Sequence, residues 1–270
     1  MRMEGGGMDL RDRDMRDKVI VITGASSGFG EAIARRCAVA GATVVLAARS
    51  AEKLDQLAGE LGAAAGRALA VPTDVASAAD VERLAALTLE RFGRADVLVN
   101  NAGFGVLDRF AEARIADLQE MIDVNVYGAT RCTQAFLPDM LRRRSGQIVI
   151  MASLSGLMAS LNMAFYTATK FALVGIAQTL MLELAGSGVN CALICPGVAM
   201  TGFQSRADVR KYSRITGIVR VSTAQVAQAT VRAIARGTNG EVIIPWHVRP
   251  LLTFSSAFPN LARAVMRIVH

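Results

Sequence analysis

Short runs of Val, Ile, Leu and Ala recur along the chain, and each is followed by a segment whose apolar residues fall three and four positions apart. VIVIT (Val19–Thr23), TVVLAA (Thr43–Ala48), ALAVPTD (Ala68–Asp74), DVLVNN (Asp96–Asn101), QIVIMAS (Gln147–Ser153), NCALICPG (Asn190–Gly197) and EVIIP (Glu241–Pro245) read as strands. Strands apolar at nearly every position are covered on both faces, as in parallel sheets. Helices are expected over about 28–40, 52–61, 78–92, 115–144, 164–185 and 223–236, with a soft interruption near Gly128. This alternation predicts an α/β protein: a doubly wound parallel sheet of about seven strands with helices on both faces.

The 270 residues fit one such domain over 18–245. Residues 1–17, densely charged and holding three consecutive glycines, are expected to form a flexible tail. Residues 246–270 form an apolar and basic extension, expected to be partly helical. Hydrophobic residues make up 52% of the chain and aromatics only 5%, which suits aliphatic packing of helix on sheet. The net charge of +7 is not gathered into a basic run interleaved with aromatics, so nucleic acid is not an expected partner.

Only two histidines exist, His247 and His270, which excludes a histidine-rich metal centre; no metal is expected. The four cysteines, Cys37, Cys132, Cys191 and Cys195, show no metal spacing. Cys191 and Cys195 are four positions apart in one strand, roughly 13 Å and too far to bridge. Reduced thiols in a cytoplasmic protein are the natural expectation. Met1–Lys18 lacks the apolar core of a signal peptide. The longest apolar stretch, around 148–165, is broken by Ser153, Ser155, Ser160 and Asn162, so no spanning helix is expected.

Two constellations carry chemistry. In SLSGLMASLNMAFYTATK, Tyr166 and Lys170 stand at i and i+4 on one helix face, with Ser153 at the preceding strand end. An ammonium beside a phenol favours the phenolate, so the tyrosine can exchange a proton well below its usual pKa of about 10. A serine brought to the same place can hold a carbonyl or hydroxyl against it. TGASSGFG sets Gly24, Ser26, Ser27, Gly28, Phe29 and Gly30 between the first strand and first helix. Such a turn lets the backbone approach a pyrophosphate seated on the helix N-terminus, the signature of a Rossmann fold.

An acid at the end of the second strand would bind the ribose 2′-hydroxyl of NAD. Ala47, Ala48 and Arg49 stand there instead, so NADP(H) is favoured, with NAD(H) possible if Arg49 is merely solvated. Two other readings fit parts of the sequence. GASSG also matches a nucleophile elbow with Ser26 as the nucleophile of an esterase-type hydrolase, and His247 lies downstream. However, no HGGG-type segment precedes it, and Gly30 would be unexplained. A non-catalytic dinucleotide-binding protein, used for regulation or assembly, would fit a chain lacking Ser153, Tyr166 or Lys170, and all three are present.

With TGASSGFG, NNAG (Asn100–Gly103), Asn125, Ser153, Tyr166, Lys170 and the pair Pro196–Gly197 in order, the chain resembles the classical short-chain dehydrogenase/reductases from about Lys18 to Pro245. The resemblance implies an NAD(P)-dependent oxidoreductase interconverting a ketone or aldehyde and an alcohol by hydride transfer. It implies that Tyr166 is the acid/base, that Lys170 lowers its pKa and binds the nicotinamide ribose, and that Ser153 orients the substrate. Asn125 is then the residue supporting a proton-relay water. Asp74 and Val75 lie where the adenine ring is contacted, Asn101, Ala102 and Gly103 against the cofactor, and Pro196, Gly197, Val198 and Thr201 near the carboxamide. Family members usually form homodimers or homotetramers through the helices after the fourth and fifth strands, and the same is expected here. Phe29 in place of an aliphatic residue and Thr169 in place of a serine are the departures, and neither removes a chemical group.

Leu154, Met158, Phe104, Phe165 and Phe203 are candidate pocket residues and would suit a hydrophobic or acyl-type substrate. The lid segment, about Gly202–Arg220, holds Arg206, Arg210, Lys211 and Arg214, which suit an anionic or carrier-bound substrate or, the reading preferred here, simply face solvent. In the C-terminal extension Phe258, Leu261, Val265 and Ile268 form an apolar stripe, and no acid follows Glu241. Peripheral contact with anionic lipid through 250–270 is one reading. Packing on the domain, on a neighbouring subunit or over the substrate mouth is preferred.

Overall fold

The structure is a computed structural model that describes residues 15–65, 67–199, 219–258 and 260–261. Seven strands form one parallel sheet: β1 (Val19–Thr23), β2 (Thr43–Ala48), β3 (Ala68–Pro72), β4 (Val97–Asn100), β5 (Gly146–Met151), β6 (Val189–Pro196) and, last in the chain, β9 (Gly240–Ile244). Their spatial order is β3-β2-β1-β4-β5-β6-β9, with every neighbouring pair parallel. The expected doubly wound sheet is therefore present.

Alternate residues of each inner strand supply two separate cores. Ile20 and Ile22 of β1, with Val44 and Leu46 of β2, face one core; Val19, Val21, Val45 and Ala47 face the other. The first core is closed by α1 (Gly28–Val39) through Ile33 and Cys37, by α2 (Ala51–Ala65) through Leu54 and Leu57, and by α7 (Thr223–Ala235) through Val226 and Val231. The second is closed by α3 (Ala78–Phe92) through Val81 and Leu84, by α5 (Ala129–Arg143) through Phe136 and Met140, and by α6 (Ala164–Glu183) through Leu173 and Val174. A strand with cover on both faces has no polar side, which is why β1, β2 and β4 are buried at every position.

Strand order reverses at β1, whose neighbours are β2 on one side and β4 on the other. Chains leaving the two strands diverge there, opening a crevice at the carboxyl ends where such folds take ligands.

The structure refines several element boundaries. The flexible tail does not extend to residue 17: Met15 is buried in the first core and its N–H donates to Ala40 O at 3.0 Å, so packing begins at least that early. Residues 1–14 lie outside the described residues. The soft interruption near Gly128 is a π-helical run, Ile122–Gly128, between α4 (Ile115–Met121) and α5. Gly128 is required there because a Cβ would lie 2.6 Å from Val75 Cγ2. A small parallel pair, β7 (Val198–Ala199) with β8 (Arg220–Val221), had no sequence signal. The extension starts with a 3₁₀ turn, Trp246–Val248, and continues as α8 (Arg249–Ala257).

By length and composition alone, α6 is long and apolar enough to cross a bilayer. It packs instead on the sheet through Leu173, Val174 and Ala177, and it carries Tyr166 and Lys170.

Candidate active site

The glycine turn after β1 is fixed by a clasp from the end of β4. Thr23 Oγ1 accepts the N–H groups of Asn101 and Ala102, each at 3.0 Å. Asn101 Nδ2 donates to Thr23 O at 2.9 Å and Gly24 O at 3.3 Å. Gly24 and Gly28 hold positive φ (65° and 60°), which a side chain would strain. A Cβ on Gly24 would also lie 2.9 Å from Ala102 Cα. Thr23 escaped the sequence reading; its only signal was a hydroxyl at the end of an otherwise aliphatic strand.

Beyond the turn, α1 begins at Ser27, whose side chain caps no N–H. By contrast, Ser77 caps α3 and a Ser222–Gln225 capping box closes α7. With no cap from the Ser27 side chain, and with Ser27, Gly28 and Phe29 lining the crevice, the start of α1 suits an anionic diphosphate. The residues present therefore fit a dinucleotide.

The crevice encloses about 660 Å³. Gly24, Ser26, Ser27, Gly28 and Phe29 form its floor, with Arg49 beside Ala48 and Ser50 at one end. Asp74 and Val75 line it, as do Asn101, Ala102 and Gly103 and, at the far end, Pro196, Gly197 and Val198. Gly30 does not. It is buried behind the turn, where a Cβ would stand 2.2 Å from Gly24 O, so its part is close packing of α1. Thr201 and Phe203, with Arg206, Arg210, Lys211 and Arg214, lie outside the described residues.

Ser153, Tyr166 and Lys170 line the same cavity. Ser153, two residues past β5, caps the 3₁₀ turn Leu154–Gly156, accepting the Ser155 N–H at 3.1 Å and donating weakly to Pro196 O at 3.5 Å. Lys170 is buried; its Nζ donates to Met151 O at 2.9 Å and lies 5.6 Å from the centre of the Tyr166 ring. Burial pushes the Lys170 ammonium down to about 8, with a smaller opposing pull from Cys195. This places a readily deprotonated cation next to a phenol, the arrangement needed to carry a proton to or from an oxygen.

Asn125 does not line the cavity. It is fully buried and its amide is occupied: Oδ1 accepts the Phe104 N–H at 2.9 Å, while Nδ2 donates to Phe104 O at 2.9 Å and Thr169 Oγ1 at 3.1 Å. Both amide hydrogens are thus committed to protein, and the side chain clamps the segment after β4 to α6. The threonine at 169 is part of this clamp.

Among the substrate candidates, Leu154, Met158 and Phe104 line the cavity. Phe165 does not; it packs with Met121, Met163 and Leu107 and meets the Phe110 ring edge-on at 5.7 Å. Leu107, Leu161, Met163 and Glu120 line it without having been singled out from the sequence. They sit on loops and a short helix whose approach depends on the fold. His247, on the 3₁₀ turn after β9, does not line the crevice that holds Ser26. The four cysteines are buried and unbridged, their thiols pushed up to about 12 chiefly by burial. No cluster of metal-ligating side chains occurs among the described residues.

Comparison with known proteins agrees with this geometry. The short chain dehydrogenase family matches residues 18–212. The ketoacyl reductase HetN of Nostoc sp. is 36% identical over 230 residues, covering 84% of this chain and 78% of the relative. An uncharacterised oxidoreductase of Staphylococcus epidermidis is 33% identical over 228 residues, 84% of this chain and 95% of its own. Among solved structures, a short chain dehydrogenase/reductase from Burkholderia phymatum in complex with NAD superposes with a TM-score of 0.83 at 31% identity, covering 92% of this chain and 96% of that one. The 3-ketoacyl-(acyl-carrier-protein) reductase of Brucella melitensis, complexed with NADH, gives 0.78 at 29% identity over 86% and 98%. The chain belongs to the short-chain dehydrogenase/reductase family and is an NAD(P)-dependent oxidoreductase.

Proposed function

We propose that this enzyme prefers NADP(H) and interconverts the carbonyl and alcohol of a hydrophobic or acyl-type substrate. The observation that carries the reading is the convergence of Ser153, Tyr166 and Lys170 with the glycine turn in one crevice. Bound nicotinamide would supply or accept the hydride. The Ser153 and Tyr166 hydroxyls hold the substrate oxygen, and Tyr166 gives up its proton as charge develops there. Lys170, kept within 5.6 Å of the ring, favours the phenolate that remains. Asn125 acts as a positioning residue through Phe104 and Thr169.

The cofactor preference rests on Arg49, exposed at the crevice beside Ala48, with no carboxylate at the end of β2 to repel a 2′-phosphate. The substrate class rests on the apolar side chains that line the cavity along with Ser153 and Tyr166: Leu107, Leu154, Met158, Leu161 and Met163. The ketoacyl reductases among the relatives support it. The exposed apolar side chains of α6, Phe171 and Leu182, support a homo-oligomer. The free thiols favour a reducing, cytoplasmic setting.

The test is a panel of ketones, aldehydes and 3-ketoacyl thioesters, followed by nicotinamide absorbance with NADPH and with NADH. Turnover should be fastest with NADPH and with the longer apolar carbonyls. Faster reaction with NADH, or a preference for small polar carbonyls, would reject the corresponding half of the proposal.

A further inference from the structure

From Pro245 onward the chain exposes apolar residues that the sheet does not need. Trp246 is 80% exposed, and Leu251, Phe254, Phe258 and Leu261 are exposed at spacings of three, four and three. Leu251 and Phe254 lie about one turn apart on α8, and Phe258 stands at its C-terminal end. Val248 and Leu252, on the other side, are buried in the second core and anchor the segment. The Phe254 and Phe258 rings lie 5.4 Å apart, making one continuous apolar surface.

Charge selects the occupant. Arg249 is exposed among these residues, Arg263 and Arg267 follow in the sequence, and no acidic residue follows Glu241. A second copy docking here would bring arginine towards arginine, with no carboxylate on the segment to pair them. Anionic headgroups supply the missing charge, and aromatic and leucine side chains suit the boundary between headgroup and acyl chain. We infer that the surface formed by Trp246 and the Leu251–Phe254–Phe258–Leu261 stripe docks on an anionic lipid membrane.

Its location adds a consequence, which rests on the function proposed above. β9 runs parallel to β6, and Gly197 N–H donates to Ile244 O at 2.7 Å. Trp246 therefore leaves the sheet at the same edge as Pro196 and Gly197, which line the crevice. Docking would set the Pro196–Gly197 end of the crevice near the bilayer, where a lipophilic carbonyl or alcohol resides.

Trp246 is the sole tryptophan, so its fluorescence reports contact directly. The full chain is mixed, without cofactor or substrate, with vesicles of phosphatidylcholine alone or containing about one-third phosphatidylglycerol. Emission should shift to the blue and be quenched by brominated acyl chains only on the anionic vesicles, and the effect should weaken as salt is raised. Phe254→Ser/Phe258→Ser, at exposed positions that leave the cores intact, should weaken binding at least about tenfold. Arg249→Gln should weaken it about fivefold. Unchanged Trp246 emission, or equal binding by the double variant, would overturn the inference. So would light scattering that shows the stripe holding two copies together, with the double variant separating and lipid making no difference. Because vesicle binding is read without turnover, it stands or falls separately from the dehydrogenase assignment.

Discussion

Asn125 and Phe104 grip each other through two hydrogen bonds of 2.9 Å, the amide oxygen taking the Phe104 N–H and the amide nitrogen giving to its carbonyl. A third bond, to Thr169, ties the pair to α6 one residue before Lys170. Gly103 completes the fit, since a Cβ there would lie 2.9 Å from Asn125 Oδ1. Asn125→Ala would remove the two hydrogen bonds that the side chain makes to the partly buried Phe104 main chain and the one to Thr169. The expected loss is about 1–3 kcal/mol of stability, read by urea unfolding, together with a fall in turnover. Asn125→Asp should be no better, because a carboxylate cannot donate to the Phe104 carbonyl. Full stability in either variant would mean that the clamp is not structural.

Tyr166→Phe keeps the ring, its burial and the Lys170 contact, and removes only the hydroxyl. Carbonyl reduction should fall by about a thousandfold, while NADPH affinity, measured by fluorescence titration, changes little. Substantial remaining turnover would show that another group handles the proton.

Lys170 links activity and stability to pH in opposite senses. Its folded ammonium titrates near 8, against 10.5 for the free side chain, because burial disfavours the charge. Below pH 8 the ammonium is charged in both states, and the cost of burying it opposes folding in full. Between 8 and 10.5 the unfolded chain still binds a proton that the folded chain has lost, so this group's contribution to stability improves as pH rises. The charge that assists Tyr166 is lost over the same interval, so reduction should slow as pH passes about 8. The stability arm is the difference in thermal midpoint between the wild type and Lys170→Met across that range. Parallel midpoint curves would refute it.

The sheet was legible because burial on both faces leaves a strand no polar position, and β1, β2 and β4 read that way in VIVIT, TVVLAA and DVLVNN. Ser153, Tyr166 and Lys170 were legible because their chemistry depends on type and spacing along a short stretch. What was missed depends on contacts across the fold. Thr23 meets Asn101 from 78 positions away, and Thr169 meets Asn125 from 44. The π-helical run at Ile122–Gly128 has the same apolar pattern as an α-helix, so the hydrophobic spacing could mark an interruption but not its kind. Met15 looked like tail because charged neighbours conceal a single apolar anchor.

Gly30 and Gly62 make a matched pair for testing the turn. At Gly30 an added Cβ meets Gly24 O at 2.2 Å and Asn101 Nδ2 at 2.6 Å, both fixed by the clasp, so Gly30→Ala must displace the turn or α1. It should cost about 1–3 kcal/mol and weaken dinucleotide binding. At Gly62, inside α2, nothing lies within 4 Å of the added atom. Gly62→Ala should therefore raise stability by about 0.5–1 kcal/mol and leave cofactor affinity untouched. Equal effects at the two sites, by calorimetry and NADPH titration, would show that the close approach of α1 to the turn is not what requires Gly30.

Arg49 carries the proposed choice between the two nicotinamide cofactors, and its test separates charge from shape. The guanidinium stands exposed at the crevice end next to Ala48, so removing it leaves β2 and the glycine turn intact. If it pairs with a 2′-phosphate, Arg49→Ala should weaken NADPH by about tenfold or more and NADH hardly at all, since a charge-assisted contact to phosphate is worth about 1.5–3 kcal/mol. Arg49→Lys should recover part of the loss, keeping the charge without the fork. Ala48→Asp should act in the reverse sense, placing a carboxylate where the 2′-phosphate would sit and a 2′-hydroxyl could be bound. Binding constants for both cofactors on the three variants decide the matter: equal losses for NADPH and NADH in Arg49→Ala would remove Arg49 from cofactor selection.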